Sequence, residues 1–340
     1  MMSLDSPTPP PATISTPAAS VDDVGQARVT SGGLAGALWD LSKPRLNSLV
    51  VVTTGLGYML AVAGQETSLA HGQSLNWILH GAFSVRVFLA VCAGTTLLAV
   101  SASAFNQRIE MKYDALMDRT RSRPLPAGRI SPAGSVVFGI VTGVAGLALL
   151  VIETNILVAA LGLFSLVIYL AIYTPLKRHT SLNTVVGAVT GAIPPMMGWA
   201  AAGAGLEPGA WVLFGILYLW QVPHFLAIAW MYREDYARGG YAMLTVTDPT
   251  GEVTATKILL WTAALLPVTF LATVVGLSGW LYLIGAAALG IYALVLGARF
   301  YRRRTREDAR LIFMTSLVYL PCIFLLMLLD PTTLSGDFIR

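Results

Sequence analysis

The chain has 340 residues, 55% of them hydrophobic and 12% charged, with a mean hydropathy of +0.68. That balance excludes an ordinary soluble domain and describes a polytopic membrane protein, in which 32 glycines allow helices to approach closely in lipid. A net charge of +4 gives no case for nucleic acid, and Cys92 and Cys322 stand alone in apolar runs without C-x-x-C or C-x-x-C-H, so neither a disulfide framework nor covalent haem is implied.

Residues 1–38 are rich in Pro, Ser, Thr, Ala and Gly and carry Asp5, Asp22, Asp23 and a single basic residue, Arg28. A signal peptide needs a basic start and an apolar core, and a transit peptide is Arg-rich and acid-poor, so this segment reads as a disordered cytoplasmic tail. Nine apolar spans follow at 47–64, 87–105, 131–151, 155–174, 181–202, 209–231, 257–277, 280–298 and 311–329. Several approach the ~20 residues a helix needs to cross the hydrocarbon core. With the N-terminus inside, 20 of the 22 Lys and Arg fall on the cytoplasmic side, leaving only Arg86 and Arg340 outside. This asymmetry sets the orientation and puts a short tail, 331–340, outside.

The expected fold is therefore all-α: a polytopic bundle of nine transmembrane helices, residues 39–330, around a central cavity open to the cytoplasmic side. Pro194-Pro195, Pro223, Pro267 and Pro321 interrupt spans and read as kinks that open this cavity.

After span 2 comes NQRIEMKYDALMDRTRSRPLPAGR, Asn106 to Arg129, with six Lys/Arg. On a helix Asn106, Glu110 and Asp114 recur every fourth residue and form one oxygen-bearing stripe, suited to a hard divalent cation such as Mg²⁺ with phosphate as co-ligand. Arg119, Arg121 and Arg123 follow, and their planar forks match phosphate oxygens. A cytoplasmic loop is basic whatever it does, so the arginines alone prove little. No topological rule demands the acidic stripe.

Span 6 exits on the same side and ends in Tyr232-Arg233-Glu234-Asp235-Tyr236. Asp235 reads as the carboxylate facing Glu110 and Asp114 across the mouth, Arg233 as a phosphate contact, and Glu234 as a solvated helix end. Deeper in that span lie Gln221 and His224, the latter ~16 Å from Asp235 on a continuous helix. An ionisable group at such depth faces a cavity or a partner helix. The link YTPLKRHTSLN adds Lys177 and Arg178, topology determinants or a second diphosphate clamp.

These residues resemble the UbiA superfamily of membrane prenyltransferases, and within it the branch that farnesylates haem. The resemblance rests on NQRIEMKYDALMDRTRSRPL, YTPLKRHTSLN, VPHF around His224, and YREDYARGGYAML with Asp235, Tyr236, Gly239 and Met243, and covers about residues 38 to 330. It implies that Asn106, Glu110, Asp114 and Asp235 hold Mg²⁺, that Arg119, Arg123, Lys177, Arg178 and Arg233 hold the diphosphate of farnesyl diphosphate, and that His224 and Tyr236 lie on the acceptor side. It further implies haem B as the acceptor, the lipid bilayer of the cell membrane as surroundings, and haem A synthase or oxidase-assembly proteins as partners. Glu110 stands where quinone-type members carry aspartate, and the second motif has only Asp235; both departures suit the haem branch. A prenyltransferase of an aromatic quinone precursor and a transporter of a phosphorylated lipid are the rival readings.

Overall fold

The computed structural model describes residues 33–69 and 83–331; most of the N-terminal segment read as a tail, and residues 332–340, lie outside them. Among the described residues every regular element is helical. A short helix α1 (Leu34–Leu41) begins inside the stretch read as tail and is followed by α2 (Pro44–Leu69), α3 (Val85–Asp114) and α4 (Pro132–Glu153). Next come α5 (Ile156–Val167), a π-helical turn (Ile168–Tyr173) and a single turn α6 (Thr174–Leu176). The remainder is α7 (Asn183–Ala201), α8 (Pro208–Met231), α9 (Arg233–Arg238), α10 (Leu244–Thr247), α11 (Glu252–Val274), α12 (Trp280–Arg303) and α13 (Arg306–Leu329).

Among the described residues eight helices are long and apolar enough to cross a membrane. The span expected at 181–202 is the exception. It forms α7, a 19-residue helix that carries Asn183, Thr184, Thr190, Gly187, Gly191 and Gly198 and is buried over most of its length. Surrounded by other helices rather than lipid, its hydropathy is not selected by the bilayer. Its glycines let backbones touch: a Cβ on Gly198 would fall 1.8 Å from the Thr54 carbonyl oxygen, and one on Gly57 would fall 2.1 Å from that of Pro195. Helices α2 and α7 thus pack backbone to backbone.

Local chemistry sets several boundaries. Ser131 caps α4 by accepting from the Gly134 N–H at 3.0 Å, with Pro132 at the first helical position, and Asn155 caps α5 through the Val158 N–H at 3.0 Å. Helix α3 runs for 30 residues, about 45 Å at 1.5 Å each, which exceeds the ~30 Å hydrocarbon core. The surplus carries the acidic stripe to the bundle end. There the chain folds back through turns, and Leu125 and Ile130 bury against Leu41 and Ala104.

Proline sits inside α7, α8, α11 and α13. Between α2, α3, the π turn, α7 and α8 lies a cavity of about 370 Å³. Its walls are mostly apolar, with Leu98, Leu166 and Met197 among them, and Thr53, Thr95 and Gln221 add isolated polar atoms.

Candidate active site at the bundle mouth

Asn106, Glu110 and Asp114 share one face of α3 and are 1%, 5% and 0% exposed. Each meets a cation delivered by a different segment. Lys43, before α2, donates to Asn106 Oδ1 at 3.3 Å. Lys177, after α6, donates to Glu110 Oε1 at 2.9 Å. Arg123, from the turns after α3, donates through Nη1 to both Asp114 oxygens at 2.7 Å. Thr120 secures that return by donating to the Asp114 carbonyl at 2.8 Å, and Thr174 receives the Asn106 amide at 3.3 Å.

The sequence marks Lys43 only as a topology residue, yet the structure makes it part of the site. It lines the cavity and is held in a left-handed backbone conformation, φ 46°, rare for a residue with a side chain. Burial, reinforced by the charge on Arg123, pushes its ammonium down to about 7. Lys177 shows the opposite outcome: burial alone would depress it, but its neighbours Tyr173 and Glu110 hold it well above the usual lysine range. At Lys43 burial and neighbouring cations prevail, whereas at Lys177 the attraction of Tyr173 and Glu110 outweighs burial.

The other expected residues are arranged in a second tier. Helix α8 breaks at Tyr232, so Asp235 lies on α9 rather than on one continuous helix with His224. Arg238, which sequence reasoning passed over, pairs with Asp235 and at 2.7 Å with Asp118, tying α9 to the turns after α3. Arg119 lies over the Tyr236 ring at 4.4 Å and Arg178 over Tyr113 at 4.1 Å, while Arg233 sits 4.8 Å over Trp230. Tyr236 is thus at the mouth, beside Arg119 and Tyr241, and not beside His224. Met117, Tyr241 and Met243 form the apolar layer between the tiers, and the buried Tyr241 hydroxyl has no hydrogen-bond partner there. Ala242 N–H donates to the Lys177 carbonyl at 2.8 Å, which docks the loop after α9 onto the link that carries Lys177.

The donor set is compatible with a divalent cation. Among the described residues no three His, Cys, Asp or Glu side chains stand close enough to share an ion. Mg²⁺ does not need three: it takes one or two carboxylates, several waters and phosphate oxygens. Asn106, Glu110 and Asp114 supply hard oxygens on one face, already matched by cations that suit phosphate.

Acids and bases at the mouth of a greasy cavity define a membrane enzyme of charged, long-tailed substrates, and comparison with known proteins gives it a family. Residues 49–324 match the UbiA prenyltransferase family, and the chain belongs to that family. It is 44% identical over 293 residues to the "Protoheme IX farnesyltransferase" of Solibacter usitatus, an alignment covering 86% of this chain and 97% of that protein. Among solved structures, one described as digeranylgeranylglyceryl phosphate synthase superposes with a TM-score of 0.70 at 14% identity, over 87% of this chain and 98% of the other. A UbiA homologue from Archaeoglobus fulgidus bound to Cd²⁺ gives 0.53 at 13% identity, over 86% and 99%.

Proposed function

We propose that this chain transfers the farnesyl group of farnesyl diphosphate to the 2-vinyl group of haem B, with addition of water, releasing diphosphate and forming haem O. The observation that carries the reading is one cavity lined both by Lys43, beside the charged stripe, and by His224. Its size falls within the ~300–1,000 Å³ of ligand pockets. Its polar end suits a diphosphate and its apolar walls suit a prenyl chain and a macrocycle. A divalent cation, Mg²⁺ in this reading, when bound supplies charge neutralisation at the diphosphate.

The chain's own groups do the rest. Lys43, Lys177, Arg123, Arg119 and Arg178 surround the place where negative charge grows as the allylic C–O bond breaks and its electron pair leaves with diphosphate. Asn106, Glu110, Asp114 and, through the second tier, Asp235 hold the cation side. Arg233, stacked on Trp230, contributes to the outer field at most. The farnesyl C1 then bonds to the terminal vinyl carbon, water adds its oxygen to the inner one, and a proton is released. Apolar walls keep water from the allylic cation before that capture.

This reading takes nine crossings, the eight long apolar helices and α7, with both polar tiers on the cytoplasmic side of the cell membrane and the C-terminus outside; the distribution of basic residues supports it. Haem A synthase or oxidase-assembly proteins as partners remain part of this proposal through the chemistry of the product. The test is direct: purified protein, farnesyl diphosphate, haem B and Mg²⁺, with pigments read by mass. Haem O as product supports the reading; prenylation of an aromatic quinone precursor instead, or no covalent product alongside transport of a phosphorylated lipid, overturns it.

A further inference from the structure

On the wall of the cavity His224 is held on three sides. Its ring stacks on Trp220 at 4.9 Å and lies against Phe313 at 5.1 Å, and its Nδ1 is 2.7 Å from Ser316 Oγ. Ser316 is fixed in turn. Its hydroxyl donates to the Phe313 carbonyl at 2.6 Å, and its own carbonyl accepts from the Trp220 indole N–H at 2.9 Å.

A serine hydroxyl has one proton. The Phe313 carbonyl has none to give, so that contact takes it, and Ser316 Oγ can only accept from the imidazole. The network therefore assigns the ring proton to Nδ1 and leaves a lone pair on Nε2. Among the described residues no hydrogen bond reaches Nε2, although the residue is only 8% exposed and lines the cavity. Gln221, one turn earlier, does not fill the gap, since its amide nitrogen is committed to the Ala188 and Leu217 carbonyls. An acceptor without a protein partner, on a residue that lines an apolar cavity, calls for a donor or a Lewis acid. A propionate carboxylate pairs with Nε2 only if a further proton is supplied, whereas a Lewis acid takes the lone pair as it stands.

Resting on the function proposed above, we infer that His224 Nε2 ligates the iron of the haem substrate, and that Ser316 is the positioning residue that sets the tautomer and orientation of this ligand. Ligating histidines are held in this way, with the second ring N–H donating to an oxygen that fixes the ring and raises its basicity. Ser316 reaches His224 from another helix, 92 residues away.

The full chain in detergent is titrated with two probes, haem B and metal-free protoporphyrin IX. His224→Ala is expected to weaken haem binding about tenfold or more while leaving the iron-free porphyrin unaffected, and to shift the Soret band until added imidazole restores it. Ser316→Ala should lower the iron–imidazole stretching frequency in resonance Raman and weaken haem binding less, with Ser316→Thr restoring both. Identical spectra for wild type and His224→Ala overturn the ligation, as does an equal loss of both porphyrins, which would report packing. A Ser316→Ala spectrum matching wild type beside a changed His224→Ala spectrum overturns the positioning role. Wild type that makes no haem O fails the function itself, whereas haem O formation without an imidazole signature overturns only this inference.

Discussion

Arg123 Nη1 stands 2.7 Å from both carboxylate oxygens of Asp114, so the arginine that the sequence assigns to phosphate and the aspartate it assigns to metal hold each other. Lys177 with Glu110 and Lys43 with Asn106 repeat the pattern. A cation–diphosphate complex fits this arrangement by exchange of partners, carboxylates to the metal and cations to the phosphates. Breaking a buried pair by removing one partner strands the other, so the pairs also keep the mouth tolerable before ligands arrive.

Turnover should require a divalent cation, and Asp114→Asn should raise the Mg²⁺ concentration needed by about tenfold or more, since a ligand's removal costs at least what loss of its supporting partners does. Arg123 is partly exposed, so water can solvate it and the fold should persist. Full turnover by Asp114→Asn at limiting Mg²⁺ would rule out the metal role.

Lys43→Met should weaken farnesyl diphosphate binding about 10–100-fold, the range for hydrogen bonds to a charged group, with haem affinity little changed. Calorimetry on the detergent-purified variant measures this. An unchanged diphosphate affinity would return Lys43 to the status of a topology residue.

The acidic stripe was legible because a four-residue repeat on a helix needs only sequence. Lys43 was not, because the positive-inside pattern already accounts for a lysine there, and its bond to Asn106 spans 63 positions. The π turn at Ile168–Tyr173, which brings Tyr169 and Tyr173 to the cavity, has no periodic signature. Helix α7 was located correctly from its apolar run, yet its buried, polar character depends on neighbours that only the tertiary fold supplies. Ser316 escaped notice as one serine among many in an apolar span; its meaning comes from the ring beside it.

Arg123→Ala should weaken farnesyl diphosphate binding more than haem binding, whereas Arg233→Ala should change neither much, because Arg233 stacks on Trp230 and not on the stripe. A charge-assisted fork is roughly twice as strong as a neutral hydrogen bond, which makes the contrast measurable. Reduced haem affinity in Arg123→Ala with intact diphosphate affinity would reverse the assignment.

Single cysteines at the exposed positions Asp118 and Glu234, beside Asp114 and Asp235 and in a background lacking Cys92 and Cys322, should react with an impermeant maleimide from the cytoplasmic side only. Arg238 joins Asp235 to Asp118, four residues after Asp114, so the two tiers share a face in the fold. Labelling from opposite faces would break the model of two half-sites.

The last prediction concerns how the cavity is kept in shape. Gly198 lies where α7 crosses α2, and a Cβ there would meet the Thr54 carbonyl oxygen at 1.8 Å and the Tyr58 nitrogen at 2.7 Å. Both are backbone atoms of a helix, which cannot rotate away as a side-chain tip can. The helices must therefore part, and overpacking of this kind costs about 1–3 kcal/mol. Met197 and Pro194, on the same stretch of α7, line the cavity, so the displacement should also distort the substrate space. Gly198→Ala is expected to lower the thermal midpoint and to reduce haem and farnesyl diphosphate binding together. Gly36→Ala on α1 is the control: a Cβ there meets nothing within 4 Å, and alanine favours a helix by ~1 kcal/mol over glycine. A wild-type melting curve for Gly198→Ala would show that α2 and α7 are not held backbone to backbone, and would remove the reason the cavity keeps one shape.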